Sequence, residues 1–204
     1  MTYNGLPLYQ LKINEDFDCG VQIMSIVDRP AVKVNFLKFS DDEYKEKIIQ
    51  QKFNFDDDKH IITGPAMIPD MPIFRKNTAE EFYVSFDSET INAIAEKFMQ
   101  QQRTMSVNLN HDIPVNDCII IESYFINRER GIIPEEFNDL PDNTWMISMK
   151  INDDAVWNSI KNNELNGFSV EGLFVLEEIE TSEFQEDIVT NENFLDWLYN
   201  QFNS

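Results

Sequence analysis

The stretch 144–179, TWMISMKINDDAVWNSIKNNELNGFSVEGLFVLEEI, reads as strand, helix and strand in direct succession. TWMISMKI alternates with a period of two, which puts Trp145, Ile147 and Met149 on one face and Met146, Ser148 and Lys150 on the other. Asn152-Asp153-Asp154 then offers side-chain oxygens to the first N–H groups of a helix, AVWNSIKNNEL. Its Ala155-Val156 and Ser159-Ile160 recur at helical spacing. Asn166-Gly167 predicts a left-handed cap ending that helix, and FSVEGLFVLEEI returns the chain as a strand. Helix and strand therefore share one core.

Upstream the same alternation continues. EEFYVSF is a strand with Phe82, Val84 and Phe86 on one face. Asp87-Ser88-Glu89-Thr90 opens the helix INAIAEKFMQQQR, whose Ile91, Ile94, Ala95 and Phe98 form an apolar stripe. TMSVNLNH is a strand ending at His111, followed by a polar turn around Pro114 and the strand CIIIESYFI. HIITGPAMIP predicts a strand broken at Gly64-Pro65, and 128–143 a loop. Near the N-terminus VQIMSIV is a strand stopped by Asp28-Arg29-Pro30, with VKVNFLKF a second, half-exposed strand. The polar run from Ser40 to Lys52 predicts a peripheral helix or link. About seven strands with two or three helices imply an α+β fold, a β-barrel or curled sheet with helices outside. Its expected parts are N-terminal strands completing the barrel (1–39), the helix or linker (40–59) and a core (60–178). An acidic tail (179–204) ends in a short amphipathic helix, NFLDWLYNQF.

Composition narrows the function. With 204 residues the chain can bury a core without disulfides. Sixteen basic against 37 acidic residues give a net charge of −21, which argues against nucleic acid or an anionic membrane as partner. No apolar run approaches the ~18 residues of a membrane span, and the opening MTYNGLPLYQLKINEDFD lacks the order of a signal peptide. Cys19 and Cys118 lie far apart in no metal-type spacing, so a reducing, cytoplasmic setting is expected. The acidic clusters DFD, DDD and NDD lack the spacing and glycine of an EF-hand loop. No cofactor or metal is expected.

The chain has only two histidines. His60 follows an acidic run at the entry to a strand and reads as a solvated loop residue. His111 ends a strand beside an acid and before a proline turn, the position of a surface turn residue or of an active-site group. Ser169, in NGFSVEG, follows a glycine where a helix end meets an apolar strand. That order is the reverse of a nucleophile elbow; it suits a bulge or packing site, or a nucleophile whose neighbouring amides bind an oxyanion. A serine nucleophile needs a base, and the base an orienting group. Ser169 and His111 are the pair available, and Glu122, an acid inside the apolar run IIIESYF, could take the Nδ1 proton of His111.

Several blocks in fixed order carry a resemblance. ITGPAMIPDMPIFR, YVSFDSETINAIAEKFM, the histidine in NLNHD, ESYF, NTWMISMKINDDAVWNSIKNNEL and LNGFSVEG resemble the XkdF-like serine proteases of tailed phages, from about Ile61 to Val175. The resemblance implies a β-barrel with peripheral helices like that of herpesvirus assembly proteases, with Ser169 as nucleophile and His111 as base. Herpesvirus enzymes use a second histidine after the serine; this chain has none there. The resemblance implies an acid as the third residue, with Glu122 as the choice and Glu171 (two residues from Ser169 on one strand face) as the runner-up, or none. VQIMSIVDRPAV is similar to a segment that related prohead proteases carry at their C-terminal end, which implies circular permutation. Those relatives place an acid where this chain has Ile23, so the segment is expected to be barrel wall. The implied activity is prohead maturation: a serine endopeptidase cutting scaffold and major capsid proteins, and itself, inside an assembling head in the host cytoplasm. A homodimer is an expectation by analogy, and an inactive scaffold or internal head protein is the alternative.

Overall fold

The computed structural model describes residues 2–28, 54–56, 59–76 and 80–176. The strand expected in VKVNFLKF, the helix expected up to Lys52 and the tail with its terminal helix lie outside the described residues. In chain order the strands are β1 (Thr2–Tyr3), β2 (Leu6–Lys12), β3 (Gly20–Val27), β4 (Asn54–Asp56), β5 (Ile61–Met67), β6 (Ile73–Lys76) and β7 (Glu81–Ser85). Helix α1 (Ser88–Gln100) is followed by β8 (Val107–Leu109), β9 (Ile113–Val115), β10 (Cys118–Phe125) and β11 (Trp145–Ile151). Helix α2 (Asp154–Lys161), β12 (Gly167–Leu173) and β13 (Val175–Leu176) complete the described chain.

The strands pair into three sheets. The first has the order β1-β2-β7-β6 with β13 also on β2; the second is β10-β11-β5-β4; the third is β12-β3-β8-β9. The fold is α+β, as the alternating patterns imply, but the described strands close no barrel. Of the outer strands, β1, β4, β6 and β9 are only two to four residues long, and strands that short end a ladder instead of carrying it round, while the longer β10 and β12 pair on one side only.

Two local expectations are corrected. Gly64-Pro65 does not break the strand: β5 runs through it, with Gly64 opposite Ile147 and Pro65 opposite Met146. Pairing with β4 stops at Thr63, so the proline occupies a stretch where that neighbour asks for no N–H. Helix α2 ends at Lys161, before Asn166-Gly167; Asn163 takes the left-handed conformation, and Gly167 already belongs to β12.

The main core joins the sheets and both helices. Asp87 accepts from the Thr90 N–H and starts α1, which buries Ile91, Ile94, Ala95 and Phe98. Phe98 meets Trp145 edge-on with ring centroids 5.5 Å apart. Asp153 accepts from Ala155 and Val156 N–H groups and starts α2, whose Val156, Trp157 and Ile160 are buried. His60, read from sequence as a solvated loop residue, instead stacks on Trp157 with centroids 4.6 Å apart. In the third sheet Met24 and Ile26 of β3, Phe168 of β12 and Val107 of β8 face this core. The alternate residues of those strands therefore face the other way, and there the chain places polar groups.

Candidate active site

Ser169 on β12 is the cross-strand partner of Ser25 on β3, and Ser25 is in register with Asn108 on β8. A row of three polar side chains thus crosses the sheet on the face turned from the core. All three are buried, with Ser25 at 0%, Ser169 at 5% and Asn108 at 7% exposure. Glu171, two residues after Ser169, joins them on the same face and is itself buried.

His111 reaches this row from a tight turn. Asn110 and His111 both have positive φ, 49° and 64°, and the Asp112 N–H closes the turn on the Leu109 carbonyl at 3.0 Å. Leu109 pairs with Ile113, so Asn110, His111 and Asp112 form a three-residue hairpin loop, and non-glycine residues held at positive φ cluster at functional sites. Asn110 ties the turn to the end of β3, its N–H donating to Ile26 and its side-chain oxygen accepting from the Asp28 N–H.

Three donors converge on one oxygen of Glu171. The Ser25 hydroxyl donates to Oε1 at 2.5 Å and the Asn108 amide at 2.6 Å, while His111 Nδ1 lies 3.0 Å away. Nδ1 is also 3.0 Å from Ser25 Oγ. Since the Ser25 proton goes to the carboxylate, Nδ1 carries the imidazole proton and Nε2 keeps its lone pair. Burial alone pushes the Glu171 carboxyl up, but the bonds from His111, Ser25 and Asn108 outweigh it and leave the group below its ordinary range. The carboxylate is therefore charged at neutral pH and presents a full negative charge to the His111 ring.

Of the residues singled out from sequence, the structure gathers His111, Ser169 and Glu171. It does not bring Glu122 to them. Glu122 lies on β10 in another sheet, and its carboxylate accepts from Ser148, whose hydroxyl is 2.9 Å from that of Thr63. Among the described residues the Ser169 hydroxyl has no hydrogen-bond partner, and no bond joins it to His111. The one fully buried side-chain polar atom left unpaired there is Asn108 Oδ1, so the Ser169 oxygen keeps contact with solvent. Ser25, read from sequence as barrel wall, is the residue that reading missed. Its signal was a lone hydroxyl in an otherwise apolar run, VQIMSIV.

A serine, a histidine and a buried acid on one face of a sheet are residue types that a serine hydrolase uses. Among the described residues no cluster could hold a metal ion, and no helix is long and apolar enough to cross a membrane. The family model described as "Putative phage serine protease XkdF" matches residues 47–193. The chain belongs to that family. No curated protein and no solved structure matches it. The match covers most of the chain and includes His111, Glu122, Ser169 and Glu171, but it starts after β3.

Proposed function

We propose that the protein is a prohead maturation protease, a serine endopeptidase that cleaves scaffold and major capsid proteins, and itself, inside the assembling phage head. The observation that carries this reading is the His111–Glu171 pair, whose acid lies two residues from Ser169 on the same face of β12. In the reaction His111 Nε2 takes the Ser169 proton as Oγ attacks the scissile carbonyl, and the charged Glu171 stabilises the imidazolium. His111 then protonates the leaving amine, and water hydrolyses the acyl-enzyme. Along an edge strand alternate N–H groups point away from the ladder. The amides around Ser169, on β12 at the edge of its sheet, are thus placed to hold the oxyanion. Ser25 is excluded as nucleophile by its complete burial. Cys118 is excluded too, because burial, with Asp153 and Asp117 nearby, pushes its thiol up to about 12.

The N-terminal β3 lies between β12 and β8, the place a permuted counterpart of the prohead proteases' C-terminal segment would take in this reading. The acidity of the chain, −21, suits a protein that must not adhere to packaged DNA. One observation favours the alternative of an inactive internal head protein: His111 and Ser169 share no bond in this state. Such bonds are often long before substrate binds. Co-expression with the neighbouring head proteins decides between them. Wild type should shorten the scaffold and capsid chains and Ser169→Ala should not; identical products from both would end the enzyme reading.

A further inference from the structure

The hydroxyl of Ser25 is in contact with both partners of the His111–Glu171 pair, yet no part of the side chain reaches solvent. We propose that Ser25 is a positioning residue of the hydrolytic site, locking Glu171 Oε1 and His111 Nδ1 together so that Nε2 is presented towards Ser169. The proposal rests on the hydrolase reading but makes its own claim about the ring.

Three features support it. The first is register: Ser25 lies between Ser169 on one side and Asn108 on the other, in the middle of the polar row. A group there touches the base and the acid without being able to touch substrate. The second is hydrogen-bond economy. Ser25 donates its only proton to Glu171 at 2.5 Å, so its lone pairs face His111 Nδ1 at 3.0 Å and can only accept. That arrangement is compatible with one neutral tautomer of His111, the one with Nδ1 protonated, and opposes the other. The third is the setting of Glu171. Ile23 stands opposite it across the strand pair, and beyond it the register shifts, with Gln22 as the extra residue on β3. A carboxylate beside such an irregularity has only its side-chain donors to fix it, and Ser25 supplies the shortest.

The test uses the full-length chain, a fluorophosphonate probe that phosphonylates activated serines with loss of fluoride, and 15N shifts of the His111 ring. In wild type the probe should label Ser169 and the neutral ring should carry its proton on Nδ1. Ser25→Ala should lower the maximal labelling rate by about 10–100-fold, the usual cost of losing an outer partner, with half-saturating probe concentration nearly unchanged. Its ring should become a mixture of tautomers. Ser25→Thr keeps the hydroxyl and suits a strand; it should restore both. Should Ser25→Ala fail to fold, Ser25→Thr and the wild-type ring still decide. An Nδ1-unprotonated ring in wild type, or Ser25→Ala labelling at the wild-type rate with the wild-type tautomer, overturns the proposal. A wild type that is never labelled although its ring is Nδ1-protonated defeats the hydrolase reading and leaves the positioning of the ring intact.

Discussion

Glu171 and Glu122 differ at the scale of single atoms, and that difference separates their roles. Glu171 Oε1 receives His111, Ser25 and Asn108, whereas Glu122 receives Ser148 on a different sheet. Glu171→Gln replaces an acceptor by an amide that can present N–H to donors, so the ring loses its orienting charge. Peptide cleavage should fall by about 10⁴-fold, the scale seen when a triad acid becomes an amide, while Glu122→Gln should stay close to wild type. Kinetics on purified variants with one peptide substrate check both; a large loss in Glu122→Gln alone would reverse the assignment. Ser169 and His111 stood out in the sequence because His111 is one of only two histidines and Ser169 lies between two glycines, Gly167 and Gly172. The acid bonded to His111 was legible only as a choice, because an ionisable residue within an apolar strand says that it has a partner and not which one. Ser25 was hidden for the opposite reason, being one small polar residue in a run that reads as core. A second outcome follows from the free cysteines Cys19 and Cys118, both buried. With its thiol pushed up to about 12, Cys118 stays protonated at neutral pH, so iodoacetamide should leave cleavage unaffected while a fluorophosphonate abolishes it.

At the scale of elements, the site depends on strands and caps that local chemistry specifies. Helix α1 was legible because its cap and its apolar stripe agree, and Asp87 does accept from Thr90. Its side chain also pairs with Lys12 of β2, tying the helix start to the first sheet. Burial raises the Asp87 carboxyl, but the bonds from Lys12 and Thr90 prevail and hold it below its ordinary range. A carboxyl depressed in the folded state stabilises it above the unfolded value and loses that contribution as pH falls through the folded one. Asp87→Ala should therefore cost about 1 kcal/mol at neutral pH, the usual value of an N-cap, and the difference from wild type should shrink in acid. Thermal melts at neutral and acidic pH read both. The meeting of β3 and β12 was not legible, since no local pattern announces which distant strands pair. Its signature is Gly172, where an added Cβ would stand 2.1 Å from the Gly20 carbonyl oxygen. Gly172→Ala forces two backbones apart beside Glu171, so it should destabilise by roughly 1–3 kcal/mol and slow cleavage together. A Tm equal to wild type would show that the strands separate freely.

For the whole molecule, the extent of the family match and the extent of the folded unit differ. The match begins at residue 47, yet β3, at Gly20–Val27, is an inner strand of the sheet that carries the site. It hydrogen-bonds β12 along antiparallel register and β8 along parallel register, so removing it strips β12 of its ladder and leaves β8 paired only with β9. It also takes Val21, Met24, Ile26 and Val27 out of the core, all at 2% exposure or less. Each such side chain contributes about 1.5–3 kcal/mol when buried, and four together are comparable to the ~5–15 kcal/mol net stability of a domain. A chain cut to residues 47–204 should therefore fail to fold cooperatively and show no labelling of Ser169. The opposite cut should behave differently, because β3, the turn bearing His111 and β12 all lie before residue 177. Deleting residues 180–204 should leave fluorophosphonate labelling of Ser169 within about twofold of wild type, since no group of the site is removed, while incorporation into heads falls if that segment docks on scaffold. Circular dichroism melts and probe labelling on the two truncations give the contrast. Labelling by 47–204 would mean that β12 and β8 assemble the site without β3, and labelling lost from the other deletion would place residues 180–204 in the core.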